Sequence, residues 1–182
     1  TIRVANGQGF WGDSIDAPYN LVKYGKIDYL TLDYLAEVTL SIMQRQKLKD
    51  PNKGYATDFI DLIERILIDI KEKNIKVITN AGGVNPEVCK DRILKVAKEL
   101  NIDIKIAIIK GDDILSNIDS LLSKGVDLSN MDDKKSFNTI KKNIYSANAY
   151  IDSFSIAEAL STGAQIVLAG RVSDPGLVLG PA

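Results

Sequence analysis

The sequence predicts an α/β fold, with a mainly parallel sheet flanked by helices in Rossmann-like layered βαβ units. Three observations carry this. Short β-branched runs alternate with helix-patterned segments from one end of the chain to the other, the pattern of parallel strands joined by right-handed crossovers. Each apolar run stops at a dense cluster of glycines and polar residues, and ligands of parallel sheets gather beyond the carboxyl ends of the strands. The 182 residues, 45% of them apolar, suffice for one α/β domain over 1–182 with a full core.

Ile2-Arg3-Val4-Ala5 reads as the first strand. It runs into Asn6-Gly7-Gln8-Gly9-Phe10-Trp11-Gly12-Asp13, three glycines in six positions, a loop that demands unusual backbone angles or close approach to something. The spacing matches a dinucleotide fingerprint only superficially, because no helix opens at Gly12. A helix from Asp16 to Tyr24 follows, with Pro18 in its first turn and Gly25 closing it. Tyr29-Leu30-Thr31-Leu32 is the second strand. Leu35, Val38, Ile42 and Met43 then recur at helical spacing to about Leu48, which places Asp33 and Glu37 on one face near the helix start.

A turn at Asp50–Gly54 leads to a helix over Asp58–Lys73 that stripes Phe59, Ile60, Ile63, Ile66, Leu67 and Ile70 along one face. The strand Ile75-Lys76-Val77-Ile78 ends at Thr79-Asn80-Ala81-Gly82-Gly83-Val84-Asn85-Pro86 and re-enters as a helix packed through Ile93, Leu94, Val96, Ala97 and Leu100. Ile104–Ile109 is a strand ending at Lys110-Gly111-Asp112-Asp113. Ile114–Ser123 has a helical pattern, and 127–143 is polar and weakly patterned. Helix Ser153–Ser161 and strand Gln165–Ala169 complete the pattern, ending at Gly170-Arg171-Val172-Ser173-Asp174-Pro175.

Composition excludes much chemistry. Histidine is absent and Cys89 is the only cysteine, so histidine-based triads, disulfides and the usual zinc sites are ruled out within this chain. Any proton transfer falls to Asp, Glu, Lys, Tyr, Cys or water. The formal charge of −1 gives no basic face for nucleic acid. No apolar stretch approaches a membrane span and Thr1-Ile2-Arg3-Val4 already reads as strand, so no membrane is expected and a cytoplasmic location fits best.

The Gly82-Gly83 corner offers free backbone amides and a helix start, which suit a phosphate, carboxylate or oxyanion. Asn80 and Asn85 flank it, with local turn chemistry as the rival role. Arg171 leaves a strand end and reaches a carboxylate or phosphate bidentately, and an Arg171–Asp174 structural pair is its rival. Asp112 and Asp113 can hold Mg²⁺ or share a proton, although Asp113 also suits a helix cap, as do Asp33 and Asp58. Asn148 is placed to orient a substrate. Tyr150 can donate a proton unless its hydroxyl is satisfied in the core. Phe10 and Trp11 read as core before they read as a ligand wall. Cys89 lies early in a helix, where a thiolate can be stabilised, but the lack of an imidazole partner favours a structural role over a nucleophilic one.

Taken in order, seven segments of this chain resemble the acyclic terpene utilisation (AtuA-type) family. They are Asn6–Asp13, Leu32–Glu37, Gly54–Phe59, Thr79–Pro86, Gly111–Asp113, Ser146–Tyr150 and Gly170–Asp174. Members of that family are longer, so the resemblance implies an amino-terminal portion. It also implies a bacterial catabolic role on branched or terpenoid acids carried as coenzyme A thioesters. The expected function is a hydratase or lyase type of enzyme, or a non-catalytic subunit presenting an anion-binding pocket to a partner or within a homo-oligomer. In that reading Glu37 or Asp112 shuttles the proton and Arg171 clamps a carboxylate of an anionic small-molecule substrate. The ligand contacts come from Asn6, Gly7, Asp33, Asn80, Gly82, Gly83, Asn85, Asp113, Asn148, Tyr150 and Asp174.

Overall fold

The computed structural model describes residues 1–182. Five strands form one all-parallel sheet: β1 (Val4–Gln8), β2 (Tyr29–Leu32), β3 (Lys76–Thr79), β4 (Ile106–Ile109) and β5 (Ile166–Ala169), in the order β1-β2-β3-β5-β4. Seven helices flank it: α1 (Asp16–Tyr24), α2 (Glu37–Lys49), α3 (Thr57–Glu72), α4 (Pro86–Glu99), α5 (Ile118–Ser123), α6 (Ser153–Ser161) and α7 (Gly176–Leu179). From β1 to β4 the chain steps one way across the sheet, so right-handed crossovers put α1, α3 and α4 on one face. From β4 it steps back, inserts β5 between β3 and β4, and lays α6 and α7 on the other face.

Two cores correspond to those two faces. The larger has 26 buried residues, centred on Phe59, Leu62, Ile63, Ile66, Leu67 and Ile70 of α3 against Leu30, Val77, Ile166 and Leu168 of the sheet. The smaller has 10, in which Ile156 and Leu160 of α6 and Leu177 of α7 meet Ile78, Ile109 and Val167. Strands of four residues with every position buried, such as β5, need apolar side chains on both faces, which is why they read as unbroken apolar runs.

Several expectations shift. β1 starts at Val4 and continues into Gln8, with a register break between Asn6 and Gln8 opposite β2. The bulge lets the glycine-rich loop pair before it turns. Unshifted is the start of α1: as expected, no helix opens at Gly12 and α1 begins at Asp16. Leu94 and Leu100 are exposed rather than packed, because α4 presents only Cys89, Ile93, Val96 and Ala97 to the core. The 114–123 segment divides into a 3₁₀ turn, Leu115–Asn117, and the short α5. Phe10 lies in solvent and Trp11 is half-buried. No helix is long and apolar enough to cross a membrane.

Candidate functional site

The carboxyl ends of β3, β4 and β5 converge on one edge, and a single carboxylate ties two of them together. Asp112, almost fully buried after β4, uses one oxygen to accept from the Arg171 amide at 2.9 Å and from Asn148 Nδ2 at 2.9 Å. Gly170 must be glycine, because a Cβ there would run into the Asp112 carboxylate. The 146–151 segment is stitched across both strand exits. Ala149 N donates to Asp112 O at 2.7 Å, Ile114 N to Ala147 O at 2.9 Å, and Ile151 N to Arg171 O at 2.9 Å. An irregular stretch thereby gains fixed anchors from backbone groups that would otherwise need water.

Arg171 is the hub. Only 6% of it is exposed. Its Nη1 donates to the carbonyls of Leu35 (2.9 Å) and Val172 (3.1 Å), and Nη2 to Asp174 Oδ1 (3.2 Å) and Tyr150 Oη (3.4 Å). Glu37 Oε1 lies 3.9 Å from Nη2. The Tyr150 ring stacks over the guanidinium, 4.6 Å from its carbon to the ring centre, and Tyr150 Oη donates to Glu37 Oε1 at 2.9 Å. Burial opposes the charge of Arg171, but Tyr150 and Asp174 outweigh it and hold the guanidinium's pKa above its ordinary value. Glu37 sits at the first turn of α2. Its own backbone amide, then the Tyr150 hydroxyl, then Arg171 keep its carboxyl below the usual range, so it is ionised at neutral pH.

Glu37, Leu40, Ser146, Asn148, Tyr150 and Arg171 enclose a cavity of about 380 Å³. A second of about 270 Å³ adjoins it, with Asn148 lining both. Lys47, Gly83, Glu87, Lys110, Asp112 and Asp113 are among the walls of the second. There Lys47 Nζ donates to Val84 O at 2.6 Å and Lys110 pairs with Glu87.

The Gly-Gly corner mostly serves the fold. Asn80 is fully buried, with Oδ1 accepting from Tyr34 N at 2.7 Å and Nδ2 donating to Asp33 Oδ1 at 2.6 Å. Asn85 Nδ2 holds the 50–54 turn through Pro51 O and Lys53 O, each at 2.8 Å. Gly83 N donates to Asn80 O at 3.0 Å. Gly83 has φ +55, and a Cβ there would meet Met43 Sδ and come within 2.7 Å of Gly54 O. Gly82, Asn80, Asn85, Asp33, Asn6, Gly7 and Asp174 line neither cavity. Asn6 meets the Thr31 hydroxyl at 3.2 Å.

Asp33 does not share a helix face with Glu37, because α2 begins at Glu37 and the Asp33 carboxylate turns inward to Asn80 and to Leu35 N at 3.2 Å. Asp113 caps the following turn through Leu115 N at 3.0 Å. With Asp112 committed to Asn148 and to the Arg171 amide, the adjacent pair does not open as a cation site, and no three acidic or thiol side chains gather to hold a metal ion. Asp58 accepts from Trp11 Nε1 at 2.9 Å rather than capping α3. Cys89 is buried, and burial pushes its thiol up.

Leu40, Lys47, Ser146 and Lys110 also line these cavities. For Ser146 the signal was its place in the Ser146–Tyr150 cluster. For Lys47 there was none, because its position depends on how α2 lies over the β3 exit.

A family model described as "Acyclic terpene utilisation family protein AtuA" matches residues 2–182. No curated protein and no solved structure matches the chain.

Proposed function

We propose, from the premise that this chain belongs to the acyclic terpene utilisation family AtuA, that it acts on a branched acyl or acyl-thioester intermediate at the Tyr150 cavity. The step is of the hydratase or lyase type. The observation that supports this reading is the relay of Tyr150 Oη, Glu37 Oε1 and Arg171 Nη2 at the wall of one cavity. It supplies an ionised base, a hydroxyl donor and a cation without any imidazole.

For water addition to an α,β-unsaturated thioester, Glu37 takes a proton from water as the oxygen bonds to the β carbon. The π electrons move to the carbonyl oxygen. Arg171 Nη2 and the second amide hydrogen of Asn148 stabilise that enolate, and the α carbon is then protonated through Tyr150. Elimination runs the same steps in reverse. Removing one oxyanion donor is worth about 3 kcal/mol of barrier. Lys47 and Lys110 in the adjoining cavity are available to the polar tail of such a substrate.

The experiment incubates the protein with branched α,β-unsaturated acyl thioesters in D₂O and follows water addition and α-carbon deuteration by mass spectrometry. Glu37→Gln and Tyr150→Phe are each expected to lower the rate at least about 100-fold while leaving the fold intact. Wild-type rates in both variants sink the assignment. The competing reading is a ligand-binding subunit that hands its occupant to a partner enzyme. It draws on the open rim, where Glu37 and Tyr150 are both exposed, and it predicts binding without turnover until the partner is added.

A further inference from the structure

We infer that the Tyr150 cavity selects a neutral carbonyl derivative, an ester or thioester, and rejects the free carboxylate, with Glu37 at its wall and Asp174, outside the lining but bonded to the same guanidinium, setting that selectivity. The inference rests on the acyl-ligand reading above and adds the charge state of the ligand. It replaces the sequence expectation of a carboxylate clamp at Arg171.

Two features lead there. The first is hydrogen-bond supply. A carboxylate is gripped by Arg through two parallel N–H groups. Both hydrogens of Nη1 are spent on the carbonyls of Leu35 and Val172. Nε is buried without a partner, and Nη2 already serves Asp174 and Tyr150. No fork faces the cavity. Of the two Nη2 hydrogens, one is held by Asp174 at 3.2 Å and the other reaches Tyr150 Oη only at 3.4 Å, so that second N–H alone can be lent, which suffices for a carbonyl oxygen and falls short for a carboxylate.

The second feature is charge. Asp174 Oδ1 at 3.2 Å and Glu37 Oε1 at 3.9 Å both attend the one guanidinium. With Arg171 at +1 and the two acids at −2, the cluster sums to −1. An arriving carboxylate near Nη2 meets one attraction and two repulsions. Its neutral ester meets neither. Both acids are largely solvent-exposed, at 75% and 77% of their side chains, so the discrimination is screened and modest, on the order of tenfold at low salt.

Calorimetric titration tests this with 3-methylbut-2-enoic acid and its N-acetylcysteamine thioester. The expected result is thioester binding about tenfold tighter than acid at roughly 0.05 M salt, narrowing towards parity at about 0.5 M. Asp174→Asn should close most of that gap by raising acid affinity, and Glu37→Gln should do so in part. The ratio of the two affinities is the readout, because a merely structural lesion weakens both ligands alike. Should Asp174→Asn fail to fold, the exposed Glu37→Gln carries the same comparison. An acid bound as tightly as the thioester at low salt, or a ratio unmoved by neutralising either acid, overturns the inference. If neither ligand binds, the acyl-ligand reading itself falls and takes this one with it.

Discussion

Asp58 holds its carboxyl where burial works against the charge and the Trp11 indole works for it. Burial prevails, and the pKa is raised above the ordinary aspartate value. Between those two values the native state binds more protons than the unfolded chain, so stability falls as pH rises through that window. At neutral pH the ionised Asp58 is therefore a net cost. Asp58→Asn keeps an oxygen for the indole and removes the charge. It should melt on the order of 2 °C above the wild type at neutral pH, with the gain vanishing below the ordinary aspartate range. A variant that melts lower at neutral pH would show that the indole and the first-turn amides of α3 outweigh burial. None of this was legible in the residue run around Asp58, which suggested an N-cap. The indole partner comes from 47 positions away, and that distance depends on the fold. Arg171 and Asp174 were legible as a pair because i,i+3 neighbours meet locally. The commitment of Nη1 to Leu35 O was not, since it spans 136 positions.

At the level of elements, α3 and α2 form a contrast. α3 buries seven residues in sixteen, whereas α2 buries only Leu40 and Met43 in thirteen. The periodic stripe of α3 was readable but for Leu62, because burial against a sheet demands it. The spacing that suggested Val38 and Ile42 as packing residues of α2 was misleading, for both are exposed. α2 lies across the strand exits, where polar loops rather than a flat apolar surface await it. Truncating the two helices should reflect this. Ile66→Ala, in the middle of the larger core, should cost about 3 kcal/mol. Ile42→Ala should stay within about 0.5 kcal/mol. Denaturant midpoints of the two variants check the pair, and equal losses would contradict the packing described. The polar 127–143 stretch gave little signal, and it contains only the 3₁₀ turns Phe137–Thr139 and Lys141–Asn143.

For the molecule as a whole, the missing histidines have a physical signature. Burial pushes the Tyr34 hydroxyl and the Cys89 thiol further from neutrality, Glu37 is held low, and only Asp58 moves towards neutral pH from below. Melting temperature should therefore stay flat, within about 2 °C, over roughly pH 6 to 8, since there is no histidine to couple folding to protons in that range. A slope in that range would locate a proton-binding group not accounted for. The alternating pattern made the parallel sheet legible, but not its strand order. Nothing in the run Ile166–Ala169 says that it lies between β3 and β4.

That insertion has a consequence for timing. β4 pairs with no strand but β5, so from the moment residues 106–109 are made they wait for a neighbour that comes about sixty positions later. The strand that fills the gap is the one that delivers Arg171, and its arrival also gives the Asp112 carboxylate its second donor. A chain in which β5 is not yet in place therefore lacks the Arg171 wall of the Tyr150 cavity. The strand that completes the pairing of β4 is thus also the one that completes the Tyr150 cavity, so closing the sheet and forming that pocket are one event.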